Sequence, residues 1–230
     1  MDFTGSSNLE ELSNNLRGRG GMYRVLKKDV MKELPDKTKQ VIELPAAGDM
    51  KRKLDEEHRI YTLHDDTIGK LRTRKKLAEI NEDEDAFRDA ARCLKEGISV
   101  QFAEMARVRA EIAKLKIPYA GQYVRDALES ERQVVVMAHH HSLIDGIMEE
   151  LILNKISAVK LTGKMSTDER QMAVDIFQGG HARVFIGGIQ AAGVGITLTA
   201  ASTLIFAEQD WTPGNMDQAG DRIHRIGQEN

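Results

Sequence analysis

From residue 131 onward, short apolar segments of strand length alternate with segments that have helical spacing. The apolar segments are Val134–Ala138, Ile156–Leu161, Arg183–Ile186 and Thr203–Ala207. Because strands that alternate with helices form parallel sheets covered by helices on both faces, we predict an α/β fold for residues 131–230. In such sheets ligands bind beyond the carboxyl ends of the strands, so the loops after these strands are the expected place for chemistry.

The segments between these strands carry helix start and stop signals. A helical pattern runs from Ser142 to Leu153. The run from Ser166 to Glu169 has the form of a capping box and predicts a helix that ends near Phe177, with two glycines as its stop. A further helix is expected to begin after Pro213-Gly214.

The first 130 residues have a different texture. Residues 1–45 are mixed, and Gln40–Leu44 alternates like a strand closed by Pro45. Residues 46–130 are rich in charged residues and are predicted to be a helical insertion packed on the α/β domain of residues 131–230. A stripe of apolar residues at helical spacing supports this prediction: Ile98, Phe102, Met105, Val108, Ile112 and Leu115. We expect Pro118 to end that helix and Tyr119–Leu128 to form another.

Charge and composition narrow the classes of function. The net charge is −3, so any contact with nucleic acid must come from local basic patches. The basic cluster Lys70–Lys76 is either a solvated helix face or a DNA-tracking patch, whereas the acidic run Glu82–Asp85 is a solvated face. No His/Cys cluster has zinc-ligand spacing, and no apolar run approaches the roughly 20 residues that a membrane span needs.

The most informative residues lie near the carboxyl terminus. On a helix, Gln218, Arg222 and Arg225 would fall at i, i+4 and i+7 and share one face. Two guanidinium groups on one surface suit a polyphosphate, because arginine binds phosphate oxygens in a bidentate manner and keeps its charge. Two arginines in surface ion pairs are the simpler interpretation of the pattern taken alone.

The run Gln218–Gln228 is similar to motif VI of the Swi/Snf family within helicase superfamily 2. Four further segments resemble family motifs, and all five stand in the family's order: Leu26–Lys37 (the signature that opens the second lobe), Val135–His140 (motif IV), Leu161–Phe177 (the segment between motifs IV and V) and Ala191–Ala201 (motif V). The resemblance covers essentially the whole chain. Features such as the double histidine and Phe206-Ala207-Glu208 resemble the annealing-helicase (HARP-like) branch.

The resemblance implies a RecA-like lobe and a role for each motif VI residue. Arg225 would be the arginine finger and Arg222 its companion, both reaching the γ-phosphate of ATP across a cleft between two lobes. Gln218 would support them. Residues 1–45 would join this lobe to the first one, and residues 131–230 would form the helicase core.

The resemblance also implies contacts to DNA. The motif V loop, with Gly193, Gly195 and Thr197, would couple the ATP site to the DNA. Thr162 and Gly163 would contact the DNA backbone, while His139 and His140 either do the same or are packed loop histidines.

This chain departs from the family at two places. Gly188 and Ile189 stand where motif V usually has serine or threonine, so a hydroxyl contact to DNA or to the ATP site is either missing or supplied by Thr197. The opening signature has Arg24-Val25 in place of paired arginines.

No segment of the sequence has the form of a phosphate loop or of an acidic Mg²⁺ motif after a buried strand. Thr162–Met165 does not qualify, because Met165 stands where a hydroxyl is required. We therefore expect ATP and Mg²⁺ to be bound mainly by the missing first lobe, and the isolated chain to be inactive.

The expected partners are that first lobe and double-stranded or branched DNA, with no membrane. The location would be the nucleoid in a prokaryote or virus and the nucleus in a eukaryote. The alternative is a non-catalytic nucleic-acid-binding or adaptor domain on the same fold. A small-molecule enzyme is disfavoured, because no acid–base or nucleophile constellation stands at the strand ends.

Overall fold

A computed structural model of the chain describes residues 8–18, 23, 37–192 and 195–225. In these residues the helices are α1 Leu9–Gly18, α2 Gly48–Ile80, α3 Glu84–Ser130, α4 His141–Leu153, α5 Thr167–Gln178, α6 Ile189–Ala192 and α7 Pro213–Gly220. The strands are β1 Val134–Ala138, β2 Ala158–Leu161, β3 Val184–Gly188 and β4 Thr203–Phe206. The chain divides into two compact units, residues 1–36 and 37–230. In the first, α1 buries none of its residues.

The second unit is built on a parallel four-stranded sheet with the strand order β2-β3-β1-β4. All five residues of β1 are buried, because this central strand is covered on both faces. Successive side chains of β1 point to opposite faces, so Val134 and Val136 join one core and Val135 and Met137 join the other. The predicted α/β fold with a covered parallel sheet is confirmed.

Each face of the sheet has its own hydrophobic core. On one face, the carboxyl-terminal half of α3 and helix α4 pack with Val124, Leu128, Leu143 and Ile147 fully or nearly buried. On the other face lie α5, the segment before β4 and α7. Its largest buried side chains include Phe177 and Phe185, whose rings meet edge to face with their centroids 5.5 Å apart.

Helices α2 and α3 form a long antiparallel hairpin. Its small apolar core holds Met50, Val108 and Ile112, and ion pairs also join the two helices. These pairs are Lys53–Glu111, Arg107–Glu56 and Arg109–Glu57. Because α3 continues from the hairpin into the core of the sheet, one rigid element belongs to both.

Two expectations for this region are wrong. Pro118 lies inside α3 and does not end it, because Ala113 on one side and Gly121 and Val124 on the other are all buried and hold both halves in place. The segment Gln40–Leu44 forms neither a helix nor a strand and is not part of the sheet that the described residues form. The neighbouring Lys37 and Lys39 instead form ion pairs with acidic residues at the end of α7.

The predicted capping box at the start of α5 is confirmed. The backbone N–H of Glu169 donates to the Ser166 hydroxyl at 3.3 Å, and the N–H of Ser166 donates to the Glu169 carboxylate at 2.7 Å. The helix ends at Gln178, one residue beyond Phe177.

Among the helices that the structure describes, none is both long enough and apolar enough to cross a membrane.

Candidate functional site

The segment that carries the two arginines leaves the helical path before it reaches them. Helix α7 ends at Gly220, and residues 221–225 form turns. The N–H of Arg222 donates to the Ala219 carbonyl three residues back, and the carbonyl of Arg222 accepts from the N–H of Leu198 at 2.9 Å. The prediction of one helix with Gln218, Arg222 and Arg225 on a common face is therefore wrong. The turn arises because the backbone at Arg222 bonds to a distant loop.

The two arginines nevertheless share one electrostatic neighbourhood. Both are half-buried, whereas Gln218 is exposed on α7. Burial lowers the pKa of the Arg222 guanidinium, the positive charge of Arg225 lowers that pKa further, and Asp221 acts in the opposite direction. Because like charges held together gain from a nearby anion, this geometry suits a phosphate group.

Arg225 is tied directly to the loop that precedes β4. Its Nη1 donates to the Thr197 hydroxyl at 2.7 Å, and its Nε donates to the Asp221 carbonyl at 3.2 Å. Thr197 is half-buried and precedes the fully buried Leu198. The structure therefore brings together Arg225 and Thr197, which the sequence assigned to different motifs.

The glycines of this loop are only partly described. Gly193 lies outside the described residues, as do most of the opening signature and the end of motif VI after Arg225. Gly195 has a φ of +74°, a left-handed conformation that disfavours a side chain, and no described atom beyond its chain neighbours lies within 4 Å of where its Cβ would stand. Gly195 is itself exposed, so its backbone is open to a ligand.

The loop after β1 is held by a carboxylate from the loop after β4. One oxygen of Glu208 accepts from the N–H groups of His139 and His140, at 2.9 and 2.8 Å. The other lies 2.6 Å from Nδ1 of the His140 ring. Because β1 and β4 are neighbours in the sheet, their loops meet at the carboxyl edge.

Asp210, in the loop after β4, also lies where this loop meets the loop after β1. Its Oδ1 accepts from the N–H of Thr212 and from the side-chain amide of Asn215, which fixes the start of α7. Its Oδ2 is buried, lacks a hydrogen-bond partner in the described residues, and lies 4.0 Å from Nδ1 of His139. Residues Glu208 and Asp210 thus face both histidines.

The predicted DNA-contacting residues after β2 lie at the opposite edge strand. Thr162 is buried and Gly163 is exposed. The Arg170 guanidinium donates to the carbonyls of Gly163 and Met165 and closes this loop against α5. Strand β3 separates this loop from the histidines after β1.

Sequence reasoning missed the roles of Glu208, Asp210 and Arg170 as loop-holding groups. A carboxylate two residues after an apolar strand was the available signal for Glu208. Nothing local marks Arg170, since its partners lie in the preceding loop. In the part of the chain that the structure describes, no three His, Cys, Asp or Glu side chains are grouped to hold a metal ion.

Comparison with known proteins gives the family of this fold. The helicase conserved C-terminal domain matches residues 116–227. The DNA annealing helicase and endonuclease ZRANB3 of Homo sapiens is 34% identical over 99% of this chain and 19% of its own length. The chain belongs to the Swi/Snf-type helicases. A second relative of this family, the SWI/SNF-related matrix-associated actin-dependent regulator of chromatin subfamily A-like protein 1 of Xenopus laevis, is 31% identical over 99% of this chain and 21% of its own length.

The predicted Swi/Snf-type family, with similarity to the annealing branch, is thereby confirmed, and the sheet is that of a RecA-like helicase C-terminal domain. This Swi/Snf-type chain spans about a fifth of the length of these relatives. Among solved structures, the C-terminal part of the Fun30 ATPase domain matches with a TM-score of 0.43 and 22% identity, over 82% of this chain and 71% of that one.

Proposed function

We propose that this helicase C-terminal domain is the second RecA-like lobe of an ATP-dependent double-stranded DNA translocase, and that it supplies the arginine finger and part of the DNA track. The observation that carries the proposal is the pair of half-buried guanidinium groups, Arg222 and Arg225, in one electrostatic neighbourhood. Arg225 is joined to Thr197 in motif V, the loop expected to approach DNA. A helicase-type ATPase family supports the same assignment.

The first lobe would hold the nucleotide, because the sequence has no phosphate loop of its own. ATP with Mg²⁺, when bound there, supplies the phosphoryl group that is transferred to water. Arg225 would neutralise the charge that develops on the γ-phosphate oxygens, with Arg222 beside it and Gln218 in support. The isolated chain would then hydrolyse no ATP.

The Arg225–Thr197 hydrogen bond offers a route from this chemistry to DNA. A finger drawn toward the γ-phosphate would pull on Thr197, and through it on the loop that contains Gly193 and Gly195. His139, His140, Thr162 and Gly163 stand at the ends of other strands along the same edge and would contact the DNA backbone. Repeated closure of the two lobes would move the duplex.

The proposed partners are therefore the first lobe of the same protein and double-stranded or branched DNA. The Xenopus relative is named as a regulator of chromatin. For a eukaryotic source we accordingly propose a nuclear location, and for a prokaryotic or viral source the nucleoid.

Reconstitution tests the finger assignment. Combining the chain with the first lobe should restore DNA-stimulated ATP hydrolysis, measured as phosphate release. Arg225→Ala should reduce that rate by about 10³ to 10⁵, the usual contribution of an arginine finger. The hydrolysis rate with Arg225→Lys should also be far below that of the unchanged chain, because a lysine ammonium cannot reproduce the planar bidentate contact of a guanidinium.

Arg59→Ala is the matched control, because Arg59 is exposed on α2 and lies outside the basic cluster Lys70–Lys76. Its reconstituted rate should equal that of the unchanged chain. Hydrolysis that survives Arg225→Ala would show that the finger assignment is wrong. The non-catalytic alternative would be favoured if the chain alone bound DNA and lost this binding on neutralisation of Lys75 and Lys76, with no hydrolysis after reconstitution.

A further inference from the structure

We infer that Glu208 is a positioning residue for DNA binding: its carboxylate fixes the conformation of the His139–His140 loop and the tautomer of the His140 ring. The inference rests on the proposed function, since it assigns these histidines to the DNA track. It adds a residue that carries the wrong charge for a phosphate contact and therefore acts through its neighbours.

The geometry uses both oxygens of the carboxylate. Oε2 accepts from two successive backbone N–H groups, those of His139 and His140, and Oε1 accepts from Nδ1 of His140. Only 10% of the Glu208 side chain is exposed. Bonds from N–H groups to an ionised carboxylate are about twice as strong as bonds between neutral groups. Three of them on one partly buried carboxylate leave this loop little freedom.

These bonds also decide which ring nitrogen of His140 is available. A carboxylate oxygen can only accept, so Nδ1 must carry the proton in this contact. Nε2 is then the ring nitrogen left to face a ligand. The ring is 21% exposed, and it packs edge to face against the His139 ring with the centroids 5.0 Å apart. The hydrogen bond at Nδ1 thus also fixes the orientation of this ring against the other.

The same residue connects the DNA edge to the arginine pair. Glu208 and Asp210 belong to the loop between β4 and α7, and Asp210 holds the start of α7 through Thr212 and Asn215. The turns with Arg222 and Arg225 follow α7 directly. A displacement of the histidine loop by bound DNA would therefore act on the segment that carries the arginines.

Simple electrostatics and positioning predict opposite results for removal of this charge. Loss of a negative charge near a DNA site strengthens binding if only the local potential matters. Loss of the Glu208 hydrogen bonds weakens duplex binding if the His139–His140 loop must be held in place. We therefore expect Glu208→Ala to weaken duplex binding about tenfold, the equivalent of one charge-assisted hydrogen bond. Glu208→Gln, which keeps one acceptor oxygen, should lie between Glu208→Ala and the unchanged chain.

The experiment measures anisotropy of a short fluorescein-labelled DNA duplex with the full chain and its variants at fixed salt. Glu131→Gln is the matched control, because this carboxylate accepts from the Ser202 hydroxyl at the opposite, amino-terminal edge of the sheet. The affinity of Glu131→Gln for the duplex should not fall below that of the unchanged chain. Ring ¹⁵N spectra, assigned with His140→Ala, should show the Nδ1–H tautomer of His140 in the unchanged chain and its loss in Glu208→Ala.

The outcomes separate this inference from the proposed function. If the unchanged chain binds duplex and Glu208→Ala binds it equally or more tightly, the positioning role is wrong while the DNA track stands. If His140 keeps its tautomer in Glu208→Ala, the proposal that Glu208 fixes this tautomer is wrong as well. A chain that binds no duplex at all would overturn both the DNA role of the histidines and the role of Glu208.

Discussion

Charged side chains from neighbouring segments hold the loops at the carboxyl edge of this sheet. Arg170 closes the loop after β2 through the carbonyls of Gly163 and Met165, and Glu208 holds the loop after β1. Arg225 is bonded to the loop that precedes β4. Each loop therefore keeps an exposed backbone for a ligand, while a single ionic side chain restricts its motion.

The capping carboxylate of α5 gives a prediction for pH dependence. The Ser166 backbone N–H, and then its hydroxyl, lower the pKa of Glu169 below its ordinary value of 4.5. A lowered folded-state pKa stabilises the fold above the ordinary value, and this contribution is lost as the pH falls through the folded pKa. Glu169→Gln should therefore lower the urea midpoint at pH 7, and the deficit should shrink below pH 4.5.

Glu129→Gln provides the comparison for that experiment. Glu129 is exposed near the end of α3, and its side chain has no hydrogen bond or ion pair with any other described residue. Its substitution should leave the urea midpoint unchanged across the same pH range. A Glu169→Gln deficit that stays constant into acid would mean that the carboxylate charge does not stabilise the helix start.

At the scale of elements, two helical glycines should respond to alanine with opposite signs. Gly69 is exposed in α2, and no described atom outside its own helical turn lies within 4 Å of where its Cβ would stand. Gly69→Ala should raise the free energy of unfolding by about 0.5–1 kcal/mol through helix propensity. Gly146 in α4 packs against α3, where a Cβ would lie 2.3 Å from Cδ1 of Ile117. Gly146→Ala should lower that free energy by about 1–3 kcal/mol.

Urea unfolding of both variants under the same conditions measures this difference. Equal stabilisation by the two substitutions would mean that α3 and α4 separate easily, and that the helix-on-sheet packing described above does not limit their approach. The pair thus tests how firmly the hairpin helix is fixed to the sheet.

The hairpin also reaches the site loop through the single tryptophan of the chain. The Arg109 guanidinium carbon lies 3.6 Å from the centre of the Trp211 ring, and the Phe102 ring meets that ring edge to face. Arg109→Ala should expose the indole, shift its fluorescence emission to longer wavelength and increase quenching by iodide. Arg107→Ala should do neither, because Arg107 pairs with Glu56 and Glu111 away from the tryptophan. Identical spectra for both variants would contradict a contact between hairpin and loop.

The same elements show how far the sequence alone leads. The strands were predictable because each contains a short apolar run, which in β1, Val134–Ala138, is buried along its whole length. The α5 start was predictable because the capping box lies within four residues. The end of α7 was not, since the turn depends on the bond from Leu198 to Arg222, 24 positions apart. Neither was the grip of Glu208 on the β1 loop, which spans nearly 70 positions. Pro118 misled for a similar reason, because tertiary packing overrides its local preference.

At the scale of the whole molecule, the charges confine any DNA site to a small area. The net charge is −3, and several cations of the hairpin, among them Lys53, Arg107 and Arg109, already form ion pairs within it. Cations of that kind have little to gain from DNA phosphates. The candidate track at the carboxyl edge consists instead of two histidines, exposed backbone and the arginine pair.

This distribution predicts a shallow salt dependence for duplex binding by the full chain. The logarithm of the binding constant falls with the logarithm of salt concentration by about 0.9 for each phosphate contact, so a track of few cations should give a slope shallower than about −4. Lys75→Ala with Lys76→Ala should leave that slope unchanged, because Lys75 lies over the Phe87 ring of the hairpin at 5.0 Å. Anisotropy titrations at several salt concentrations measure the slope.

If the slope instead becomes shallower by about one for each lysine removed, the basic cluster Lys70–Lys76 contacts the DNA. The hairpin would then be a second DNA-binding surface, and the sheet edge would not account for the affinity alone.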